Sequence, residues 1–300
     1  MAQKERHSPT KGAVYVDDSG NPGADSGSVF LPPSRKSWTA VIVPSIVADE
    51  VNALMEVFLD GVRRDFAAEE LHFTEIWSGQ GPWKSVMPGK RAEMMELMAN
   101  LMKSFSLPIV HQTVSDSTLN DHPDIWRSLD SKRVGDWRLD DISHFGLLLL
   151  CSKTSKHLRT MKAASPTDFN LPVPLYIDEG LMPAGGEREL PNWSDVIEGP
   201  KANFRRSTEL VGIQLADFAA FVINRVQWAA VKRQPGPTLE PAEELIFRAA
   251  AGLNILNLSI GTTSWEELGR ESYEDLLADD RMAKGLPPRP YGGKSGPDGR

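Results

Sequence analysis

The chain has 300 residues, which is enough for one or two domains that each bury a hydrophobic core. Hydrophobic residues make up 40% of it and charged residues 25%, and this composition excludes a chain that is disordered throughout. The formal net charge of −8 argues against a protein that coats nucleic acid without specificity, because such proteins are usually basic.

The cysteine content and the lengths of the apolar runs indicate the cellular compartment of the protein. The single cysteine, Cys151, excludes a disulfide framework and a cysteine-rich metal site. The stretch from Met1 to Lys11 is polar and has no apolar run that could serve as a signal peptide. The longest apolar run, Phe145 to Cys151, is too short to span a bilayer. We therefore expect a cytoplasmic protein.

The predicted secondary structure alternates between strands and helices. Apolar runs bounded by turn residues predict strands, and apolar residues three or four positions apart predict helices. In chain order the predictions are strand Gly12–Asp17, strand Trp38–Val43, helix Ala48–Phe66, helix Pro88–Phe105, strand Pro108–Val114, helix Leu139–Lys162, strand Pro172–Asp178, helix Thr208–Lys232, helix Ala242–Gly252 and helix Ser264–Met282. Segment 70–76 is ambiguous, and 116–136 and 179–206 are predicted to be irregular.

This order of elements predicts the domain organisation. Strands interleaved with helices indicate one α/β domain, which we assign to residues 12–232. Residues 233–284 form a predicted C-terminal helical extension. The stretch 285–300 is rich in glycine and proline, which is typical of a disordered tail.

Two predicted strands end in paired acidic residues. Asp17 and Asp18 close the first strand, and Asp178 and Glu179 close the strand near residue 175. Ligands of an open α/β sheet bind at the carboxyl ends of its strands, so Asp17 and Asp178 could lie side by side there. Carboxylates at such a distance repel each other unless a cation neutralises them, and Mg²⁺ takes oxygen ligands of this kind. The alternative is that each acid caps a turn.

A third acid, Asp217, lies in the middle of a helix that is apolar nearly all round, and such a helix is expected to be buried. A buried carboxylate needs a cation or several hydrogen bonds. One possibility is an ordinary salt bridge to Arg225 or Arg206. The other is that Asp217 joins Asp17 and Asp178 in a metal-dependent phosphoryl-transfer site.

These acids belong to four short motifs that occur in a defined order. They are Asp17-Asp18-Ser19-Gly20, Glu70-Leu71-His72, Ile177-Asp178-Glu179 and Gly212-Ile213-Gln214-Leu215-Ala216-Asp217. The set resembles the bacterial family described as domain of unknown function 3800, over Val14 to about Asn224. That family has Glu where this chain has Asp18, so the side chain of the second acid is one methylene group shorter here.

The resemblance implies an α/β fold of ribonuclease H-like type, with a mixed sheet flanked by helices and extra C-terminal helices. It also implies a site in which Asp17 bridges two Mg²⁺ or Mn²⁺ ions, while Asp178 and Asp217 each complete the shell of one ion. One ion would lower the pKa of an attacking water, and the other would stabilise the leaving 3′ oxygen.

Glu70 and His72 are second candidates for the same site. On an extended segment they share one face, opposite Leu71 and Phe73. Glu70 could be a fourth metal ligand, and His72 could transfer a proton or contact phosphate. Alternatively they are surface residues of a loop, and Glu75 competes for the same role.

Basic residues near the acids are candidates for substrate contact. Lys153, Lys156, Arg159 and Lys162 form a row on a predicted helix, which could follow a phosphate backbone or be a solvated helix face. Arg205 and Arg206 precede the helix of Asp217 and could bind a phosphate. Gln214, about one turn before Asp217 on the same face, is assigned to substrate contact with them.

The sequence therefore predicts a Mg²⁺- or Mn²⁺-dependent nuclease that hydrolyses phosphodiester bonds of RNA or DNA by a two-metal-ion mechanism. One alternative is an inactive nucleic-acid-binding or scaffold protein with the same fold. The other is a metal-dependent nucleotide phosphohydrolase, which the acidic net charge slightly favours. The chain contains no Walker A loop, no dinucleotide-binding glycine motif and no His-Glu-x-x-His motif.

Overall fold

The computed structural model describes residues 11–19, 25–121, 123–128, 132–258, 264 and 266–291. The strands are β1 Ala13–Ser19, β2 Lys36–Val43, β3 Pro108–Val114, β4 Arg133–Val134, β5 Trp137–Arg138, β6 Val173–Asp178, β7 Glu187–Glu189, β8 Ile197–Arg205 and β9 Asn254–Ile255. The helices are α1 Ala48–Phe66, α2 Phe73–Ser78, α3 Pro88–Ser104, α4 Asp116–Asp121, α5 Pro123–Ser128, α6 Ile142–Ala164, α7 Gly212–Lys232, α8 Pro241–Ala251 and α9 Arg270–Ala283.

Seven of these strands form one mixed sheet in the order β7-β8-β6-β1-β2-β3-β9. The central strand β1 is antiparallel to β2 and parallel to β6. Outward from these, β3 is antiparallel to β2, and β8 is parallel to β6. The carboxyl ends of β1, β6 and β8 therefore lie at the same edge of the sheet.

Helices cover both faces of the sheet, because alternate residues of the central strand are apolar on both sides. Ala13 and Tyr15 pack in a core with α1, α2, α3, α7 and α8. Val14 and Val16 pack in a second core with α6. The arrangement is an α/β fold of three layers, as the alternation of strands and helices predicts.

The strand β8 lies in the segment that the sequence predicted to be irregular. Its register against β6 shifts, since Val173 pairs with Ile197 whereas Leu175 pairs with Ala202. Gly199 has φ +65°, so the backbone departs from regular strand geometry just before Pro200. This interruption hides the alternation of buried residues that Ala202 and Phe204 resume.

Several helix starts differ from the predictions. The helix α6 begins at Ile142 because the Asp141 carboxylate accepts hydrogen bonds from the N–H groups of Ser143 and His144. The helix α7 begins at Gly212, after a turn. The last helix begins at Arg270, six residues later than predicted. The segment 116–136 contains the short helices α4 and α5 and a two-residue strand, β4.

The C-terminal part packs against the α/β layers. The strand β9 lies within the predicted extension 233–284 and pairs with β3, while α8 and α9 contact α7. Within the stretch predicted as a disordered tail, Arg289 binds Asp121 at 3.0 Å and the Tyr291 hydroxyl donates to Asp275 at 3.0 Å. Residues 292–300 lie outside the described residues. None of the helices described here is long and apolar enough to cross a membrane.

Candidate functional site

Asp17 and Asp178 lie on adjacent positions of two parallel strands. Tyr15 pairs with Tyr176 and Val16 with Ile177, so the next pair in register is Asp17 and Asp178. The two tyrosine rings stack at 5.9 Å on the sheet face that α7 covers. Because side chains alternate along a strand, the carboxylates two residues further on leave the sheet on that same face.

The helix α7 approaches β1 closely because it begins with glycine. A Cβ atom on Gly212 would lie 2.2 Å from the Tyr15 ring, so no other residue fits there without displacing that ring. This approach brings Asp217, in the second turn of α7, to the carboxyl end of β1. Its Oδ2 accepts a hydrogen bond from the N–H of Phe73 at 3.2 Å.

Gln214 connects α7 to two neighbouring segments. Its Oε1 accepts a hydrogen bond from the Leu71 N–H at 2.9 Å, and its Nε2 donates to the Ser207 carbonyl at 3.1 Å. The residue is 1% exposed. The prediction that Gln214 contacts substrate is therefore corrected: its amide is used inside the protein, where it positions the Glu70 segment.

Glu70 and His72 lie on an extended segment, with Leu71 and Phe73 buried on its other side. The Glu70 carboxylate accepts a short hydrogen bond from the Ser207 hydroxyl. His72 Nδ1 lies 3.9 Å from Asp217 Oδ2, and about half of the His72 side chain is exposed. The structure thus brings both residues to the side of Asp217.

These residues line a cavity of about 820 Å³. Its described lining contains six acids and two arginines, and the acids are Asp17, Asp18, Glu70, Asp178, Glu179 and Asp217. Two of the acids have cationic partners, since Asp18 binds Lys36 and Glu179 lies 3.4 Å from Arg206. For the other four, the described residues provide no Lys or Arg within salt-bridge distance.

Burial and mutual repulsion make these carboxylates hard to ionise. Burial, followed by repulsion from Asp217 and Asp178, raises the pKa of Asp17 well above its usual value. Burial and the neighbouring acids also raise the pKa of Asp178 to about 7. For Asp217, burial outweighs the effect of His72 and raises the pKa to about 6. The site therefore carries excess negative charge that protons or another cation can neutralise.

The carboxylates face one cavity, but they do not yet surround a space of the size of one metal ion. Among the described residues, no three His, Cys, Asp or Glu side chains are close enough together to count as a formed metal site. The donors are nevertheless all carboxylate oxygens, the type that hard divalent cations prefer. Binding of a cation by several of them requires their side chains to turn toward each other.

The basic row of α6 is not part of this cavity, so the contact with substrate predicted for it would not be made here. The helix carries Lys153, Lys156 and Arg159 and packs on the opposite face of the sheet. Arg159 makes two hydrogen bonds to Asp195, at 2.6 and 2.7 Å. Lys162 donates to the carbonyl oxygens of 166 and 169 at 2.7 and 2.6 Å. The charge spacing on the helix gave no information about which sheet face the helix covers.

The two arginines before α7 differ in position. Arg206 lines the cavity beside Glu179. Arg205 does not line it; its guanidinium donates to the Phe204 carbonyl at 3.0 Å, so its predicted contact with substrate at this cavity is corrected. Neither Arg206 nor Arg225 forms the alternative salt bridge to Asp217.

The lining residues that were not assigned to the site from sequence include Asn224, Arg225 and Trp228. They follow Asp217 by seven, eight and eleven positions, which places them on neighbouring faces of one helix. The sequence pattern that could have identified them is their spacing from Asp217 along the same helix.

Comparisons of the chain with protein-family models, with curated proteins and with solved structures found no match. The resemblance to the domain of unknown function 3800 family therefore rests on the four sequence motifs. One residue of the first motif, Gly20, lies outside the described residues. Function has to be argued from the geometry and charge of the cavity.

Proposed function

We propose that the protein is a metal-dependent nuclease that hydrolyses phosphodiester bonds of RNA or DNA. The observation that carries the proposal is the set of four carboxylates without a Lys or Arg partner in one cavity, among the described residues: Asp17, Glu70, Asp178 and Asp217. Carboxylates that line one cavity without a Lys or Arg partner repel each other, and their convergence is a feature of functional sites.

The donor set fits Mg²⁺ or Mn²⁺. Asp17, Asp178 and Asp217 would hold the cation, with Glu70 as a further oxygen donor. A bound divalent cation supplies a water of lowered pKa and positive charge beside a leaving oxygen. Burial and then repulsion raise the pKa values of Asp17 and Asp178, and the cation would remove the repulsion.

Other residues of the cavity have separate roles in the proposal. Arg206 lies at the mouth, where its exposed guanidinium can bind a substrate phosphate. His72 is half exposed beside Asp217 and is the group best placed to accept or donate a proton. Lys36 holds the Asp18 carboxylate, so the shorter acid at this position is not required as a ligand.

The arrangement of elements supports the ribonuclease H-like assignment. The first strand is central in a mixed sheet with helices on both faces, and it carries the first acid. The parallel neighbour β6 carries the second acid, and the long helix α7 brings the third against β1. This is the placement of acids that the motif resemblance implies.

A nucleotide phosphohydrolase is the second candidate function, and two observations favour it. The basic row of α6, which would have followed a long backbone, does not reach the cavity. The cavity volume of about 820 Å³ is also within the range of sites that enclose small molecules. The two candidates differ in the substrate that is cleaved.

The test is a panel of labelled single-stranded and duplex RNA and DNA, together with nucleoside phosphates, each incubated with Mg²⁺ or Mn²⁺. We expect cleavage of internal phosphodiester bonds that requires the metal and is lost in Asp17→Asn. The matched control is Asp195→Asn, which removes one carboxylate outside the cavity. Release of phosphate from nucleotides alone would favour the second candidate. Polynucleotide cleavage that persists in folded Asp17→Asn would refute the proposed site.

A further inference from the structure

Arg225 is a cationic residue of the cavity that forms no ion pair with any described carboxylate. Arg225 is partly buried, and its guanidinium lies over the rings of Phe221 and Trp77 at 5.3 and 5.7 Å. Within the described part of the chain, no carboxylate lies within 4.0 Å of it, and burial lowers its pKa without an acid to oppose the shift. Contacts with aromatic rings compensate only part of the cost of removing a guanidinium from water.

Asn224 presents a second donor beside this guanidinium. The buried Arg35 donates from Nη2 to Asn224 Oδ1 at 2.8 Å. Since arginine can only donate hydrogen bonds, this contact fixes the orientation of the amide, and its NH₂ group has no hydrogen-bond acceptor among the described residues. Asn224 and Arg225 therefore offer adjacent donors, one neutral and one charged, and both line the same cavity as the carboxylates.

The donor pair lies at a defined distance from the carboxylates. Asn224 follows Asp217 by two turns of α7, which corresponds to about 10 Å along the helix axis and nearly the same face. Phe221 lines the wall between them. The carboxylate end of the cavity therefore repels anions until a cation binds, whereas at the other end no carboxylate of the described residues pairs with Arg225.

We propose that Asn224 and Arg225 bind a backbone phosphate of a single-stranded nucleic acid, at a nucleotide flanking the phosphate that a cation at the carboxylates would hold. The choice of ligand rests on the proposed function. An extended strand carries phosphates at both ends of such a cavity, whereas the phosphates of a mononucleotide are joined to one another and reach one end. Because the cavity volume of about 820 Å³ is in the range of sites that enclose small molecules, we expect it to admit one strand rather than a duplex.

The test measures binding by fluorescence anisotropy with a labelled octanucleotide, single-stranded or in duplex, and with a labelled dinucleotide as the internal reference. All variants are made in the Asp17→Asn background, so that turnover does not change the probe. We expect Arg225→Gln to raise the Kd of the single-stranded octanucleotide by about tenfold or more and to reduce the salt slope by about one. Arg64→Gln is the control for loss of one exposed arginine.

The outcomes separate this inference from the proposed function. Unchanged octanucleotide binding in folded Arg225→Gln overturns the inference, whether or not the wild-type chain cleaves nucleic acid. The inference is also overturned if Arg225→Gln weakens binding of the dinucleotide as much as binding of the octanucleotide. It is overturned as well if duplex binding depends on Arg225 as strongly as single-strand binding does. Binding that depends on Arg225, in a chain that cleaves nothing, supports the inference and refutes the nuclease. If Arg225→Gln does not fold, Asn224→Leu provides the same comparison.

Discussion

Replacement of Asp178 by Asn should stabilise the metal-free protein at neutral and alkaline pH. The carboxylate has a pKa of about 7 in the folded protein and the ordinary value of 3.8 when unfolded. Between these values the folded state holds a proton that the unfolded state has released. The stability that this proton contributes is present below about pH 4 and is lost as the pH rises to about 7.

The size of the effect follows from the shift. One pKa unit corresponds to about 1.4 kcal/mol, so three units correspond to about 4 kcal/mol for a fully buried group. The Asp178 side chain is partly exposed, and solvent screening reduces the expected difference to about 2 kcal/mol. Asp178→Asn should therefore gain about 2 kcal/mol over the wild type at about pH 8, but none at about pH 4.

Urea unfolding in the presence of a chelator, at a series of pH values, measures this difference. The free energy of unfolding of Asp178→Asn minus that of the wild type should increase from about pH 4 to pH 7 and then remain constant. Asp195→Asn, whose acid is paired with Arg159, should show no such increase. If Asp178→Asn is less stable than the wild type at about pH 8, burial and the neighbouring acids do not disfavour the ionised carboxylate and the reasoning fails.

Two further changes test other parts of the site. Gly212→Ala should destabilise the protein by about 1–3 kcal/mol in urea unfolding, because the new methyl group meets the Tyr15 ring; an unchanged midpoint would mean that α7 can shift from β1. Mg²⁺ or Mn²⁺ should raise the Tm of the wild type and of Asp18→Asn but much less that of Asp217→Asn, since Asp18 is bound by Lys36. An equal rise in Asp217→Asn would place that residue outside the metal site.

Elements with strong local signals could be predicted from the sequence, including their bounds. The predicted bounds of α1 and β3 equal the observed ones, because regular apolar spacing defines α1 and Pro108 opens β3. The strand β8 could not be predicted, since its bulge near Gly199 interrupts the alternation on which strand prediction depends. Its pairing partner, β6, is also distant in sequence.

The candidate acids could be predicted because strand ends and buried helices restrict where a carboxylate can point. Asp17 and Asp178 lie side by side whenever the two strands that they end are adjacent and parallel, as they are in the structure. The positions of the cations depend on tertiary packing, which the sequence pattern does not contain. For that reason Arg159 was expected at the site but binds Asp195, and Arg225 was considered a salt-bridge partner although it lies over aromatic rings.

The charge distribution of the cavity connects stability with function. Burial and, after it, repulsion raise the pKa of Asp17, and both destabilise the folded protein whenever its carboxylate is ionised. A divalent cation at the same oxygens would relieve that repulsion. Part of the free energy of unfolding that the repulsion costs would therefore be recovered when the cation binds. Protons compete for the same oxygens, and with a pKa of about 7 Asp178 is half protonated near neutrality. Replacement of this carboxylate by a neutral side chain would therefore improve the metal-free fold while removing the charge on which the proposed reaction depends.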